Sequence, residues 1–114
     1  MKGRPLTDFE KGILKRFIPE QDLDSARLVI GDMPFWLPKQ DIGLTLYNTI
    51  YLASYDPLNM ADIATLGHEL THVGQYRNGL NIFSYGLSCR HGYWNSPLEK
   101  AAYAMEAKIK EALA

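Results

Sequence analysis

The alternation of hydrophobic and polar positions predicts a small β-sheet in the first half of the chain. Residues 26–31 form a short apolar run that ends at a glycine, which is typical of a strand. Apolar residues alternate with polar or aromatic ones at residues 44–47 and again at 49–53, and Asn48 between them predicts a turn. We expect these strands to form a small antiparallel sheet.

Three other segments carry apolar residues at the spacing of amphipathic helices. Residues 7–19 open on a capping-box pattern and end at a proline. Residues 59–77 begin at an asparagine N-cap and stop before an asparagine–glycine pair. Residues 96–114 begin with a serine N-cap, a first-turn proline and an acid three residues after the cap. The pattern predicts an α+β fold, within one domain of residues 1–114, whose sheet packs against the second and third helices.

Composition narrows the class of protein. The chain has 114 residues, of which 46% are hydrophobic and 22% are charged, as in ordinary soluble domains. Its formal net charge of −1 gives no reason to expect a nucleic acid or a membrane as a partner. Cys89 is the single cysteine, so an internal disulfide is excluded. The polar start lacks an apolar signal segment, which predicts a cytoplasmic protein by default, with non-classical export as the alternative.

A metal-binding motif stands in the middle of the second predicted helix. His68 and His72 lie four positions apart, so both imidazoles project from one face and can reach the same cation. Zinc suits nitrogen and oxygen ligands in a tetrahedral arrangement. Glu69 follows the first histidine and points to the side, where it can accept a proton from metal-bound water. This segment therefore predicts a zinc site.

The helical wheel separates this motif from the core-facing side of the same helix. The core-facing stripe is apolar and consists of Ile63, Leu66, Leu70 and Val73. His68 and His72 point roughly opposite to it, which disfavours core histidines and leaves two exposed surface histidines as the alternative to a metal site. Gly67 and Gly74 lie near the core stripe, where we expect close packing of the helix against the sheet.

The third zinc ligand is expected near or on the last predicted helix, because a catalytic zinc ion needs three protein ligands and one open position. Glu99 is the first candidate, and Glu106 and His91 are the alternatives. Glu99 and Glu106 stand seven residues apart on one side of the helix, with Tyr103 between them. Glu99 also occupies the N3 position of a capping box, so helix capping is the alternative to metal binding.

Around these residues the chain resembles minimal gluzincin metallopeptidases. The resemblance is carried by His68–Val73, Gln75–Arg77, Asn95–Glu99 and Ala101–Tyr103, and it extends to Thr49–Leu52 before the helix. The chain is especially similar to an uncharacterised HExxH domain family found beside bacterial contractile-injection-system genes. This resemblance implies a zincin-like fold with an active-site helix, a glutamate helix and a small sheet.

The resemblance also implies a role for each residue of the site. His68, His72 and Glu99 would bind zinc, and Glu69 would be the general base. The function expected from these roles is a zinc-dependent metallopeptidase that hydrolyses peptide bonds with metal-activated water.

The expected substrate is a peptide or protein that adds to the sheet as an edge strand. We expect it to pair with Thr49–Ala53, a mode of recognition that needs few side-chain pockets. Tyr103 is the first candidate for stabilising the oxyanion, and His91 and Tyr85 are the alternatives.

A different class of function is a zinc-binding structural or assembly module without peptidase activity of its own. The small size of the chain favours this alternative, because it leaves no second lobe to select a substrate. A toxin or processing domain that acts within a larger secretion or phage-tail-like complex is a related alternative. All of these expectations share the metal site.

Overall fold

The computed structural model of the chain describes residues 3–34, 43–79 and 97–114. Within these ranges the backbone forms four strands and four helices. In chain order they are β1 (Arg4–Pro5), α1 (Asp8–Leu14), α2 (Glu20–Ser25), β2 (Arg27–Ile30), β3 (Gly43–Leu46), β4 (Thr49–Leu52), α3 (Met60–Arg77) and α4 (Pro97–Leu113). One sheet combined with helices confirms the predicted α+β class. No helix in these ranges combines the length and the apolar character that crossing a membrane requires.

The sheet is mixed, with the strand order β1-β2-β4-β3. β3 and β4 form an antiparallel hairpin in which Leu46 pairs with Thr49 around a two-residue turn. β4 pairs with β2 in parallel, in a register that places Leu28 beside Ile50, and β1 is antiparallel to β2. The predicted antiparallel arrangement is therefore wrong for the central pair, β2 and β4, because the hairpin places β4 beside β2 in parallel.

The strand order also corrects the expected edge strand. β4 has a strand on each side, so Thr49–Ala53 is not an edge to which a peptide can add. In the part of the chain that the structure describes, β1 and β3 are the edges, and the β3 residue Thr45 hydrogen-bonds to Glu69 of α3. Alternation along the sequence identifies strands but not their neighbours, and consecutive strands are not always adjacent.

The predicted first helix is shorter than expected, and a second helix follows it. α1 ends at Leu14, and α2 begins directly after Pro19. Proline has no backbone N–H and a fixed φ, so it breaks a helix that reaches it but is tolerated where a new helix begins. Pro19 was predicted only as the end of the first helix, so α2 was not expected from the sequence.

The carboxylate of Glu10 joins three parts of the fold. It accepts the backbone N–H of Thr7 at 2.7 Å, and its two oxygens bind the Arg4 guanidinium at 3.0 and 3.1 Å. Tyr55, which precedes α3, donates its hydroxyl to Oε2 of Glu10 at 2.5 Å. Because Glu10 is fully buried, these bonds fix β1, α1 and the segment before α3 relative to one another.

α3 is the central helix and has the predicted bounds. Asn59 caps its start by accepting the backbone N–H groups of Ala61 and Asp62. Gly79 follows its end with a φ of 109°, which a residue with a side chain rarely adopts. The predicted core stripe is confirmed, because its members are at most 3% exposed: Ile63, Leu66, Leu70 and Val73.

The two glycines of α3 serve contacts between helices and not the expected contact with the sheet. A Cβ on Gly67 would overlap the Cδ1 methyl of Ile109, a fully buried residue of α4. A Cβ on Gly74 would lie 3.2 Å from Oδ2 of Asp22 in α2, and Asp22 also binds Arg77 at 2.7 Å. Gly67 therefore lets α4 pack closely against α3.

Candidate metal centre

Two antiparallel helices bring three potential metal ligands together. Gly67 faces Ile109, whereas Gln75 lies beside Leu98, so α4 runs antiparallel to α3 and its first turn reaches the level of His72. Glu99 belongs to that first turn. The packing of the two helices, and not sequence proximity, places this carboxylate at the histidines.

One oxygen of Glu99 lies against both imidazoles. Oε1 is 3.0 Å from Nε2 of His68 and 2.9 Å from Nε2 of His72. One ligand atom from each of the three residues lies within 4.8 Å of the others. The ligands of a tetrahedral zinc ion, at bond lengths of about 2.0–2.1 Å, stand roughly 3.3 Å apart. This group could therefore hold a metal ion of that kind.

Both histidines are buried although they point away from the apolar stripe of α3. His68 is 6% exposed and His72 is fully buried, which excludes the alternative of two surface histidines. They lie under α4, whose Glu99 is itself only 5% exposed. The periodicity of α3 alone does not reveal this cover, because it comes from a second helix.

Each imidazole has a hydrogen-bond acceptor at Nδ1. Nδ1 of His68 lies 2.9 Å from Oε1 of Glu106, and Nδ1 of His72 lies 2.7 Å from Oε1 of Gln75. Ionised carboxylate and amide oxygens only accept hydrogen bonds, so each Nδ1 carries a proton. In a neutral imidazole this leaves the lone pair on Nε2, the nitrogen that faces Glu99. The donor set and its orientation therefore fit zinc.

The alternatives for the third ligand have different positions. Glu106 contacts the nitrogen of His68 that faces away from Glu99, and it also pairs with Lys110 at 3.2 Å. It is therefore placed to orient His68. His91 lies outside the described residues, and so does Ser96, the predicted partner of Glu99 in a capping box.

Glu69 lies beside the potential ligands and uses its two oxygens differently. Oε1 accepts the hydroxyl of Thr45 at 2.7 Å, whereas Oε2 lies 4.0 Å from Nε2 of His68. Gly43 leaves space next to Oε2, because a Cβ there would lie 2.8 Å from this oxygen. Thr45 and Gly43 carry no signal of this role in the sequence, since nothing local connects β3 with α3.

The carboxylates around the imidazoles favour positive charge in the site. Burial lowers the pKa of His68, but hydrogen bonds with Glu106 and Glu99 outweigh it and raise this pKa to about 9. Burial raises the pKa of Glu99, but hydrogen bonds with both histidines lower it to about 2. The hydrogen bond with His68 also lowers the pKa of Glu106. Burial raises the pKa of Glu69, so this carboxylate is the one best suited to take up a proton.

Tyr103 lies between the site and solvent. Its ring meets the His68 ring edge-on, with 4.5 Å between the ring centroids, and the residue is 38% exposed. Its expected role at the oxyanion stays a prediction. Tyr85, the other tyrosine considered for that role, lies outside the described residues.

Comparison with known proteins supports one part of the resemblance. Residues 42–80 match the family model of the eCIS core domain, which links the chain to bacterial contractile injection systems. The match covers about a third of the chain and includes His68, Glu69 and His72, but it ends before Glu99. No curated protein and no solved structure matched the chain. The similarity to the injection-system family is thus confirmed, and metallopeptidase activity stays a prediction.

Proposed function

We propose that the chain is a zinc-dependent metallopeptidase in which His68, His72 and Glu99 hold the metal and Glu69 is the general base. The observation that carries this proposal is the meeting of two Nε2 atoms at one Glu99 oxygen, with Glu69 beside them. Three protein ligands leave the fourth position of a tetrahedral ion open, as in catalytic zinc sites. Zinc bound there would supply a Lewis acid and a water molecule of lowered pKa.

Glu69 carries out the proton transfers in this proposal. Thr45 holds Oε1, so Oε2 is the oxygen that faces the ligand histidine. A base works best when its pKa approaches the working pH, and the burial of Glu69 raises its pKa in that direction. Glu69 accepts the proton of the attacking water on Oε2 and then passes it to the amine that leaves when the peptide bond breaks.

The peptide is proposed to lie along β3. In a two-residue hairpin Leu46 and Thr49 form the hydrogen-bonded pair next to the turn, so the backbone groups of Gly43 and Thr45 face the outer edge. Tyr76 donates its hydroxyl to the carbonyl of Thr45 at 3.2 Å and so occupies that position. The backbone of Gly43, next to Oε2 of Glu69, is then where an added strand would meet the base.

Tyr103 is the proposed donor to the oxyanion. It contacts the ring of His68 and is accessible from solvent, and a phenolic hydroxyl can stabilise charge that develops on a carbonyl oxygen. Tyr103→Phe keeps the ring but removes the donor. We expect it to lower kcat by about tenfold or more with little change in KM.

The function is tested by metal analysis together with a variant of the base. We expect the purified protein and Glu69→Gln to retain the same amount of zinc, one ion per chain, because Gln keeps the size of the side chain. The wild-type protein should cleave a mixture of unstructured peptides, as read by mass spectrometry. Loss of the base should slow this cleavage by about 100-fold or more. Equal cleavage by the two proteins would rule out Glu69 as the base.

A second candidate function is an assembly module of an injection system in which zinc has a structural role. The similarity of residues 42–80 to the eCIS core domain favours it. The burial of the site also favours it, since His68, Glu69, His72 and Glu99 are at most 6% exposed and a peptide reaches a buried ion less easily. This candidate predicts that neither protein cleaves peptides and that removal of zinc lowers Tm in both.

A further inference from the structure

Gln75 forms two hydrogen bonds that connect the potential ligands across the two helices. Its Oε1 accepts a hydrogen bond from Nδ1 of His72 at 2.7 Å, and its Nε2 donates to the backbone carbonyl of Leu98 at 3.0 Å. Leu98 directly precedes Glu99 in the chain. A single amide therefore contacts one histidine of the site and the residue next to the carboxylate.

These two bonds fix the orientation of the amide and, with it, the tautomer of His72. Only the NH2 group of an amide can donate to a carbonyl, so the NH2 group of Gln75 faces Leu98 and its oxygen faces His72. An oxygen at that place requires a proton on Nδ1. The other neutral tautomer would put two acceptor atoms 2.7 Å apart.

The second bond acts on the position of α4. The Leu98 carbonyl belongs to the first turn of this helix, and its bond with Gln75 holds that turn at the level of His72. Glu99 follows one residue later and places Oε1 2.9 Å from Nε2 of the same histidine. A shift of the backbone at Leu98 would therefore move the carboxylate away from both imidazoles.

We propose that Gln75 is a positioning residue that keeps Nε2 of His72 available to the metal and holds Glu99 in register with it. The inference rests on the proposed metal site and adds a residue outside its ligand set. Partners of this kind, which hydrogen-bond to a ligand, change metal affinity by about 10–100-fold when they are removed.

Two variants and a control test the effect on metal affinity. Gln75→Leu removes both bonds, whereas Gln75→Glu keeps an acceptor for Nδ1 of His72 but has no donor for Leu98. Gln21→Leu makes the same change at an exposed position of α2. In competition titrations with a chromophoric zinc chelator, we expect Gln75→Leu to weaken binding by about 10–100-fold and Gln21→Leu by less than about twofold. Gln75→Glu is expected to lie between wild type and Gln75→Leu.

The nitrogen resonances of His72 supply a readout other than stability or affinity. In the zinc-loaded wild-type protein we expect nitrogen NMR to show a proton on Nδ1 and metal on Nε2. The same pattern should persist in Gln75→Glu. In Gln75→Leu, which offers Nδ1 no acceptor, we expect the Nδ1 resonance to shift, whereas a purely structural role of Gln75 would leave it unchanged.

The outcomes separate this inference from the proposed function. If wild type binds zinc but Gln75→Leu loses less than about tenfold in affinity, or if zinc lies on Nδ1 of His72, the positioning role is wrong and the metal site stands. If wild type binds no zinc, the proposed function and this inference both fail. A loss of zinc affinity of tenfold or more in Gln75→Leu, with Nδ1 of His72 protonated in wild type, supports both the metal site and the positioning role of Gln75.

Discussion

Oε1 of Glu106 lies 2.9 Å from Nδ1 of His68, while Oε1 of Glu99 lies 3.0 Å from Nε2 of the same ring. One imidazole is therefore held between two carboxylates of the same helix, one at each nitrogen. Lys110 pairs with the other oxygen of Glu106 at 3.2 Å and limits its movement. Carboxylate–histidine pairs of this kind orient a ligand histidine and increase its basicity.

Replacement of Glu106 is expected to weaken zinc binding without abolishing it. Glu106→Ala removes the acceptor at Nδ1 of His68, so we expect about a 10–100-fold loss of affinity in a chelator competition. Glu106→Gln offers an amide oxygen to Nδ1 and should lose less zinc affinity than Glu106→Ala. Glu111→Gln, at an exposed position of the same helix, is the control. Loss of all zinc in Glu106→Gln would contradict the assigned position outside the ligand set.

Replacement of Glu99 separates metal binding from helix capping. If Glu99 is a ligand, Glu99→Ala should lose more zinc affinity than Glu106→Ala, because Glu99→Ala removes a coordinating atom. Zinc content and Tm measured together provide the test. If zinc affinity is unchanged and only the free energy of unfolding falls, by about 1 kcal/mol, the carboxylate serves as a cap.

Thr45 should affect catalysis but not metal binding. Thr45→Val keeps the shape of the side chain and removes the hydroxyl that holds Oε1 of Glu69 at 2.7 Å. A base that is free to rotate is less often aligned, so we expect kcat for peptide cleavage to fall by about tenfold or more at unchanged zinc affinity. Thr45→Ser restores the donor and should restore the rate. Equal rates in Thr45→Val and wild type would remove Thr45 from the mechanism.

The sequence predicts the two histidines, which one helix defines, and Glu99, which was the first candidate on the last helix. The i, i+4 spacing placed His68 and His72 on one face of α3, and the cap at Asn59 gave its start. Thr45 could not be predicted, because its bond to Glu69 depends on which edge of the sheet α3 contacts. Gln75 carried a local signal, since it stands three positions after His72, where side chains on a helix meet.

The strand order likewise depends on contacts between distant segments that the sequence pattern does not predict. Alternation and turn residues predicted β3 and β4 with nearly the observed bounds. The neighbours of a strand depend on how the connections cross the sheet. The sequence between β2 and β3 carries no pattern that decides whether β3 or β4 lies beside β2. The expected peptide edge at Thr49–Ala53 was wrong for this reason alone.

Gly67 is expected to be intolerant of any side chain. A Cβ there would overlap Cδ1 of Ile109, so Gly67→Ala should destabilise the protein by about 1–3 kcal/mol in urea unfolding. Gly12→Ala in α1 is the matched control, because its added Cβ would meet no atom within 4 Å beyond its neighbours and the backbone of its own helix. We expect that control to stabilise the helix by about 0.5–1 kcal/mol.

A second substitution tests whether the overlap itself is the cause. Ile109→Val removes the Cδ1 methyl, so the double variant Gly67→Ala/Ile109→Val should be more stable than Gly67→Ala alone. If the close packing of the two helices brings Glu99 to the histidines, Gly67→Ala should also weaken zinc binding, and Ile109→Val should restore it in the double variant. A double variant that is less stable than both single variants would show that the methyl is not the obstacle.

The buried carboxylate of Glu10 is expected to make stability depend on pH in the acid range. Burial raises its pKa, but hydrogen bonds with Arg4 and Tyr55 outweigh it and lower the pKa from 4.5 to about 2. A pKa lowered by folding means that its stabilisation is fully present above pH 4.5 and is lost as the pH falls through about 2. At pH 7 Glu10→Gln should therefore cost about 1.5–3 kcal/mol in urea unfolding, and the difference from wild type should shrink between those two pH values. A constant difference between wild type and Glu10→Gln down to pH 2 would mean that the charge of Glu10 does not stabilise the fold.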